Sequence, residues 1–159
     1  MQDLVERLSY LLERKQLKLT TAESCTGGLL SSGITARAGA SYVFERGFIT
    51  YSNQAKHEML GVPEELLETY GAVSAEVAES MAQGALNHSA AGLAISITGI
   101  AGPDGGSDEK PVGLVYFCYD FDHGEAKVVE EHFSGSRTEI QLAAARKALE
   151  LLIDALEDV

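Results

Sequence analysis

Residues 17–34, LKLTTAESCTGGLLSSGI, decide the fold. Leu17 to Thr21 is a short β-type run, and Leu29, Leu30 and Ile34 recur at helical spacing. Between them Ser24, Thr26, Gly27 and Gly28 turn the chain sharply from strand into helix. Orphan amides and small side chains at such a junction can take up an anion. The segment has neither the lysine of a P-loop nor the spacing of a dinucleotide fingerprint. On spacing alone it therefore reads equally as an anion cradle or as a capped turn.

Working outward, Met1 to Gln16 places Leu4, Val5, Leu8, Leu11 and Leu12 on one face of an amphipathic helix. Downstream, Tyr42 to Ser52 (YVFERGFITYS) is aromatic and β-branched enough to be a strand, and a regular pleat puts Glu45, Gly47, Ile49 and Tyr51 on one face. Asn53 is expected to cap a short helix that Gly61 ends. Pro63 opens another at its favoured first position, with Gly71 as the stop, and Ser74 caps a longer one. Gly92 to Thr98 (GLAISIT) reads as a strand buried on both faces. A glycine-rich loop, Ile100 to Pro111, follows. Val112 to Tyr119 and Ala126 to Phe133 form an antiparallel hairpin about a polar Asp122-His123-Gly124 turn. Ser136 and Glu139 make a capping box for one long final helix. The alternation predicts an α/β fold over residues 1–159 as one domain, with a mixed sheet of about five strands and helices on both faces.

Twelve basic residues stand against 24 acidic ones, a net charge of -12. That field repels phosphate backbones and disfavours nucleic-acid binding. A small anion must then be held by local devices: helix N-termini, backbone amides and a few placed cations. No apolar run approaches membrane-spanning length, so neither a signal peptide nor an anchor is expected. Cys25 and Cys118 have no CxxC or CxxH spacing, which suggests neither zinc nor a disulfide and fits a reducing compartment. His57, His88, His123 and His132 are scattered without a ligand-like pair, and none is assigned to a metal or a triad.

Candidate chemistry concentrates in a few places. Thr98-Gly99-Ile100-Ala101-Gly102-Pro103-Asp104-Gly105-Gly106 follows the end of a buried strand, where ligands collect in open α/β sheets, with a mobile surface loop as the lesser alternative. Lys56 falls in the first turn of its helix, where the dipole opposes its charge. The dipole supplies at most about 1 kcal/mol, so a lysine that is neutral near pH 7 also requires burial; otherwise Lys56 is an ordinary surface residue. Arg137, beside the N-terminus of the last helix, suits a phosphate or is simply solvated. Glu23, Glu45, Asp104 and Asp108 could each serve the site, yet a solvated carboxylate is the safer reading for any one of them in so acidic a chain.

TAESCTGG, FERGFITYSNQAK, GAVS, SITGIAGPDGGSDEKPVG and FSGSR, in that order over about residues 20 to 140, together resemble the nicotinamide mononucleotide deamidases. The same family occurs as the C-terminal domain of competence-damage-inducible, CinA-type proteins, and this chain looks like its stand-alone form. The resemblance implies a three-layer α/β/α sandwich and usually a homodimer; the reducing compartment read from the cysteines makes the cytoplasm the expected location. It also implies hydrolysis of nicotinamide mononucleotide to nicotinate mononucleotide and ammonia with no metal or organic cofactor. For the chemistry it implies Ser41 as nucleophile, with Lys56 taking its proton directly or through Tyr51. Ser24 and Thr98, with loop amides from Thr26, Gly27, Gly28 and Gly99, would hold the carbonyl oxygen or orient the substrate. Arg137 would meet the oxyanion or the phosphate. Sequence alone leaves the choice between Ser41 and Ser24 open, since Ser24 occupies the more obvious motif. It also leaves two other readings: a nucleotide-binding or regulatory domain without turnover, and an amidase for another small amide.

Overall fold

The computed structural model describes residues 1–122 and 124–159. His123, and with it the reading of that histidine and of its turn, lies outside the described residues. The elements run α1 (Gln2–Lys15), β1 (Leu19–Glu23), α2 (Leu29–Thr35), a short 3-10 turn (Ala40–Tyr42), β2 (Phe44–Ile49), α3 (Asn53–Leu60), α4 (Glu64–Tyr70), α5 (Ala75–Asn87), β3 (Leu93–Gly99), β4 (Leu114–Phe121), β5 (Lys127–His132) and α6 (Arg137–Glu157).

The strands form one mixed sheet in the order β2-β1-β3-β4-β5. β1 is parallel to both neighbours, and β3-β4 and β4-β5 are antiparallel. Helices α1, α2 and α6 bury Leu8, Leu12, Leu30, Ile34, Leu149 and Leu152 against one face, where Leu19, Ile95 and Phe117 meet them. Helices α3, α4 and α5 cover the other face through Leu60, Leu67, Val77 and Met81 over Ala22, Ala94 and Cys118. The result is the expected three-layer α/β/α sandwich. Every residue of β1 is buried, as is nearly all of β3, so both read as central strands covered on both sides. No helix among the described residues is long and apolar enough to cross a membrane.

Three local expectations change. The register between β1 and β2 slips between Leu19 and Thr20, so Phe44 and Arg46 pair where a regular ladder would use adjacent residues. The extra residue, Glu45, breaks the alternation: Phe44 packs into one core and Phe48 into the other. Second, β2 stops at Ile49, and Ser52 rather than Asn53 caps α3; its hydroxyl accepts from the Ala55 amide at 3.0 Å, leaving Asn53 as the first helical residue. Third, Pro63 sits at the cap position of α4 rather than inside its first turn.

The chain runs from β1 to β2 on one side and from α5 into β3 on the other. The carboxyl ends of β1 and β3 are therefore a point where the winding reverses, which opens a crevice in this class of sheet. Gly99 closes β3 there: a Cβ on it would lie 2.7 Å from the Leu114 carbonyl oxygen, so only glycine lets β4 come that close.

Candidate active site

Ser24 is the first residue beyond β1. Its amide donates to the Ile97 carbonyl at 2.9 Å, which locks it to the adjoining strand. The turn that follows is organised from below by Glu23, whose carboxylate is completely buried. One oxygen accepts from Thr26 Oγ1 (2.6 Å), Gly28 N (3.2 Å) and Leu30 N (3.0 Å), the other from Ser31 N (2.9 Å) and Ser31 Oγ (2.5 Å). Gly28, at φ 103°, offers α2 no side-chain cap, so Glu23 performs that task from five to eight residues upstream. This corrects two expectations. Glu23 is not a solvated carboxylate, and the amides at the start of α2 are occupied by the protein's own anion, so they are not free to receive a ligand.

Lys56 arrives from the opposite side of the cleft. Because Ser52 fixes the first turn of α3, the lysine side chain runs inward and is only 1% exposed. Its Nζ lies 3.0 Å from Ser24 Oγ and donates to the carbonyls of Thr50 (3.0 Å) and Tyr51 (3.2 Å). Thr50 is itself tied to the end of β1, its amide donating to the Glu23 carbonyl at 2.8 Å. All three partners are neutral. Burial of the ammonium without a compensating carboxylate lowers its pKa from 10.5 to about 8. The burial that sequence could not supply is therefore present. In neutral Lys56 the two carbonyls engage the N–H groups, which turns the nitrogen lone pair toward the serine hydroxyl.

These groups line a pocket of about 180 Å³ shared by Ser24, Lys56, Tyr51, Thr98, Gly99 and Arg137. Cys25 also lines it, but burial pushes its thiol up to about 12, which leaves it protonated and a poor nucleophile at neutral pH. The Cys25 carbonyl accepts from Gln141 Nε2 at 3.0 Å. Thr98 donates its hydroxyl proton to the Ala72 carbonyl at 2.8 Å. It ties the segment leading into α5 to β3, so its hydroxyl proton is engaged by the protein itself. Arg137 donates to Gly102 O (2.7 Å) and to Tyr51 Oη (2.8 Å), joining the glycine loop to the rim. Asp104 and Asp108 are exposed, and Glu45 pairs with Arg46 away from the pocket.

Two sequence-derived roles do not meet this geometry. Ser41 lies exposed in the 3-10 turn before β2, whereas Lys56 follows β2, so within one chain they stand at opposite ends of that strand. A strand of this length spans about 20 Å. Ser24 takes the place beside Lys56 that Ser41 was expected to hold. The Tyr51 phenol, in turn, is not between Lys56 and a serine; it is 59% exposed and bonded to Arg137, and the residue meets Lys56 only through its carbonyl. The Thr50 carbonyl escaped sequence reading altogether, and Glu23 was considered there without its role as the acceptor that caps α2. A helix that starts on glycine with no Ser, Thr, Asp or Asn at its cap was the available sign that a more distant acceptor had to exist.

A serine hydroxyl facing a buried, unpaired lysine at the switch point of a three-layer α/β/α sheet defines an α/β protein with a candidate nucleophile–base pair. The chain belongs to the CinA C-terminal domain family, whose model matches residues 1–156. It is 50% identical over 143 residues to the nicotinamide-nucleotide amidohydrolase PncC of Enterobacter agglomerans, covering 90% of this chain and 87% of that protein. A putative competence-damage inducible protein of Caldicellulosiruptor saccharolyticus is 54% identical over 151 residues; the chain covers 36% of its length. Among solved structures, the competence/damage inducible protein CihA from Agrobacterium tumefaciens superposes with a TM-score of 0.94 at 49% identity, covering 98% of this chain and 94% of that one.

Proposed function

We propose that this protein hydrolyses the carboxamide of nicotinamide mononucleotide, releasing ammonia and nicotinate mononucleotide. The observation that carries this reading is 50% identity to a nicotinamide-nucleotide amidohydrolase across nearly the whole of both chains. The Ser24–Lys56 geometry supports an acyl-transfer route for it. Neutral Lys56 accepts the Ser24 proton as Oγ attacks the carboxamide carbon. The carbonyl oxygen becomes an oxyanion, and the Cys25 amide, next in the chain to the nucleophile, is the donor assigned to it in this scheme. Lys56, now an ammonium, protonates the amide nitrogen; the C–N bond breaks and ammonia leaves. Water then attacks the acyl-serine ester, its proton passes to Lys56, and Ser24 recovers its own as the carboxylate departs. No step needs a metal or an organic cofactor.

Arg137 and the loop beginning at Gly99 form the substrate-facing rim in this scheme. The enzyme works in the cytoplasm as a homodimer; the apolar side chains exposed along β2 and its flanks, Tyr42, Ile49 and Tyr51, support a self-association surface there. Ammonia release measured on nicotinamide mononucleotide, the riboside, free nicotinamide and the dinucleotide tests the reading. Turnover of the mononucleotide above the others is the expected result. Substrate binding without ammonia release would instead favour a regulatory nucleotide-binding domain.

A further inference from the structure

In a chain of net charge -12, many of the cations are taken by carboxylates: Arg7 by Glu157, Arg37 by Glu6 and Glu13, Arg46 by Glu45, Lys147 by Glu131. Two others, Arg137 in the pocket lining and Lys110 beside the segment that leads into it, bond neutral oxygens instead. Arg137 donates to Gly102 O and Tyr51 Oη and keeps three of its five N–H groups. Lys110 Nζ donates to the Tyr70 carbonyl at 2.5 Å. A Cβ on Gly71 would lie 3.1 Å from that Nζ, and Gly71 leads directly into Ala72 and Val73, which line the pocket. The backbone of Lys110 is held in a tight turn: its amide donates to Ser107 Oγ at 3.0 Å, and its carbonyl accepts from Ser107 N at 2.8 Å. The loop that leaves the pocket at Gly99 thus passes under Arg137 at Gly102 and ends with Lys110 bonded to Tyr70, two residues before the pocket-lining Ala72.

We infer that Lys110 and Arg137 form a two-cation clamp at the pocket mouth that holds a phosphate monoester, with Lys110 the residue that distinguishes a phosphorylated substrate from its unphosphorylated form. This rests on the reading of the pocket as a site for a nicotinamide mononucleotide. An ammonium with N–H groups to spare and a guanidinium with an open edge supply the charge-assisted donors that a phosphate's oxygens require. The occupied amides of α2 leave that role vacant on the pocket floor.

The test compares wild type with Lys110→Gln, which can still donate to the Tyr70 carbonyl but carries no charge, and with Lys110→Arg. Lys110→Gln is expected to raise KM for nicotinamide mononucleotide roughly tenfold while kcat stays within about twofold, with kcat/KM for the riboside unchanged. Lys110→Arg restores the mononucleotide KM. Equal losses on mononucleotide and riboside would show a purely structural lysine and overturn the inference, as would an unmoved KM. Calorimetric titration of ribose 5-phosphate separates this from the activity itself. If wild type releases ammonia from neither compound, the proposed function fails; the clamp then stands if ribose 5-phosphate binds wild type more tightly than Lys110→Gln, and falls if the two bind it equally or not at all.

Discussion

Lys56 Nζ lies 3.0 Å from Ser24 Oγ, and among the described residues no carboxylate pairs with it. A buried lysine whose partners are a hydroxyl and two carbonyls is costly to keep charged, and that cost is what fits it for the proposed role of base.

The pH dependence follows from this. Only neutral Lys56 can accept the serine proton, and with a pKa of about 8 roughly a tenth of the molecules hold it neutral at pH 7. Ammonia release should therefore rise with pH through a midpoint near 8 in kcat/KM and level off above it. A profile flat from pH 6 to 9 (roughly the span over which such a base titrates) would remove Lys56 from the role.

Ser24→Ala and Ser41→Ala separate the two candidate nucleophiles. The first is expected to cut kcat by about a thousandfold or more with substrate still bound, since only residual binding and oxyanion effects survive loss of a nucleophile. Ser41→Ala, at the far end of β2, should turn over within about twofold of wild type. Rates from purified variants, beside a binding titration, decide between them.

Lys56→Met keeps the aliphatic stem and removes the charge. It should abolish turnover yet unfold at the same temperature as wild type or higher at pH 7, because it removes a buried, uncompensated ammonium. The sign can be checked by linkage. The folded-state pKa of Lys56 is lowered, so between about 8 and 10.5 the unfolded chain binds the extra proton, and wild-type stability gains from Lys56 as pH rises through that window. Below pH 8 the penalty is present in full, about 3 kcal/mol for a shift of that size. Denaturant unfolding of both proteins at pH 7 and pH 10 should show the difference between them narrowing.

Glu23→Ala removes the acceptor for three amides and two hydroxyls at the start of α2. Leaving such groups buried without partners costs roughly 3 kcal/mol or more in total. A fall in the denaturant midpoint with little change in slope is the expected signature; an unchanged midpoint would mean that water replaces the carboxylate freely.

Much of this was legible in the chain. The hydrophobic spacing in LKLTTAESCTGGLLSSGI identified β1 and α2, and GLAISIT identified a central strand, because burial on both faces leaves a continuous apolar or small-residue run. Lys56 was visible as a first-turn lysine, but its burial depends on how α3 packs toward the end of β1, which no local pattern encodes. Glu23 was misread for the same reason: a carboxylate in an acidic chain reads as solvated until the fold brings five donors to it. Ser41 differs. The expected strand from Tyr42 to Ser52 already separated it from Lys56 by a strand's length, so the conflict was present in the sequence itself.

The Glu23 cap has a consequence for where charge can sit. With the α2 amides already held by the Glu23 carboxylate, a substrate anion docked there would meet a negative charge and no free donor, so the proposed clamp places the substrate's charge at the rim, on Arg137 and Lys110. Recognition and chemistry are thereby kept on separate electrostatic levels of one small cleft: cations at the lip, uncharged partners at the floor.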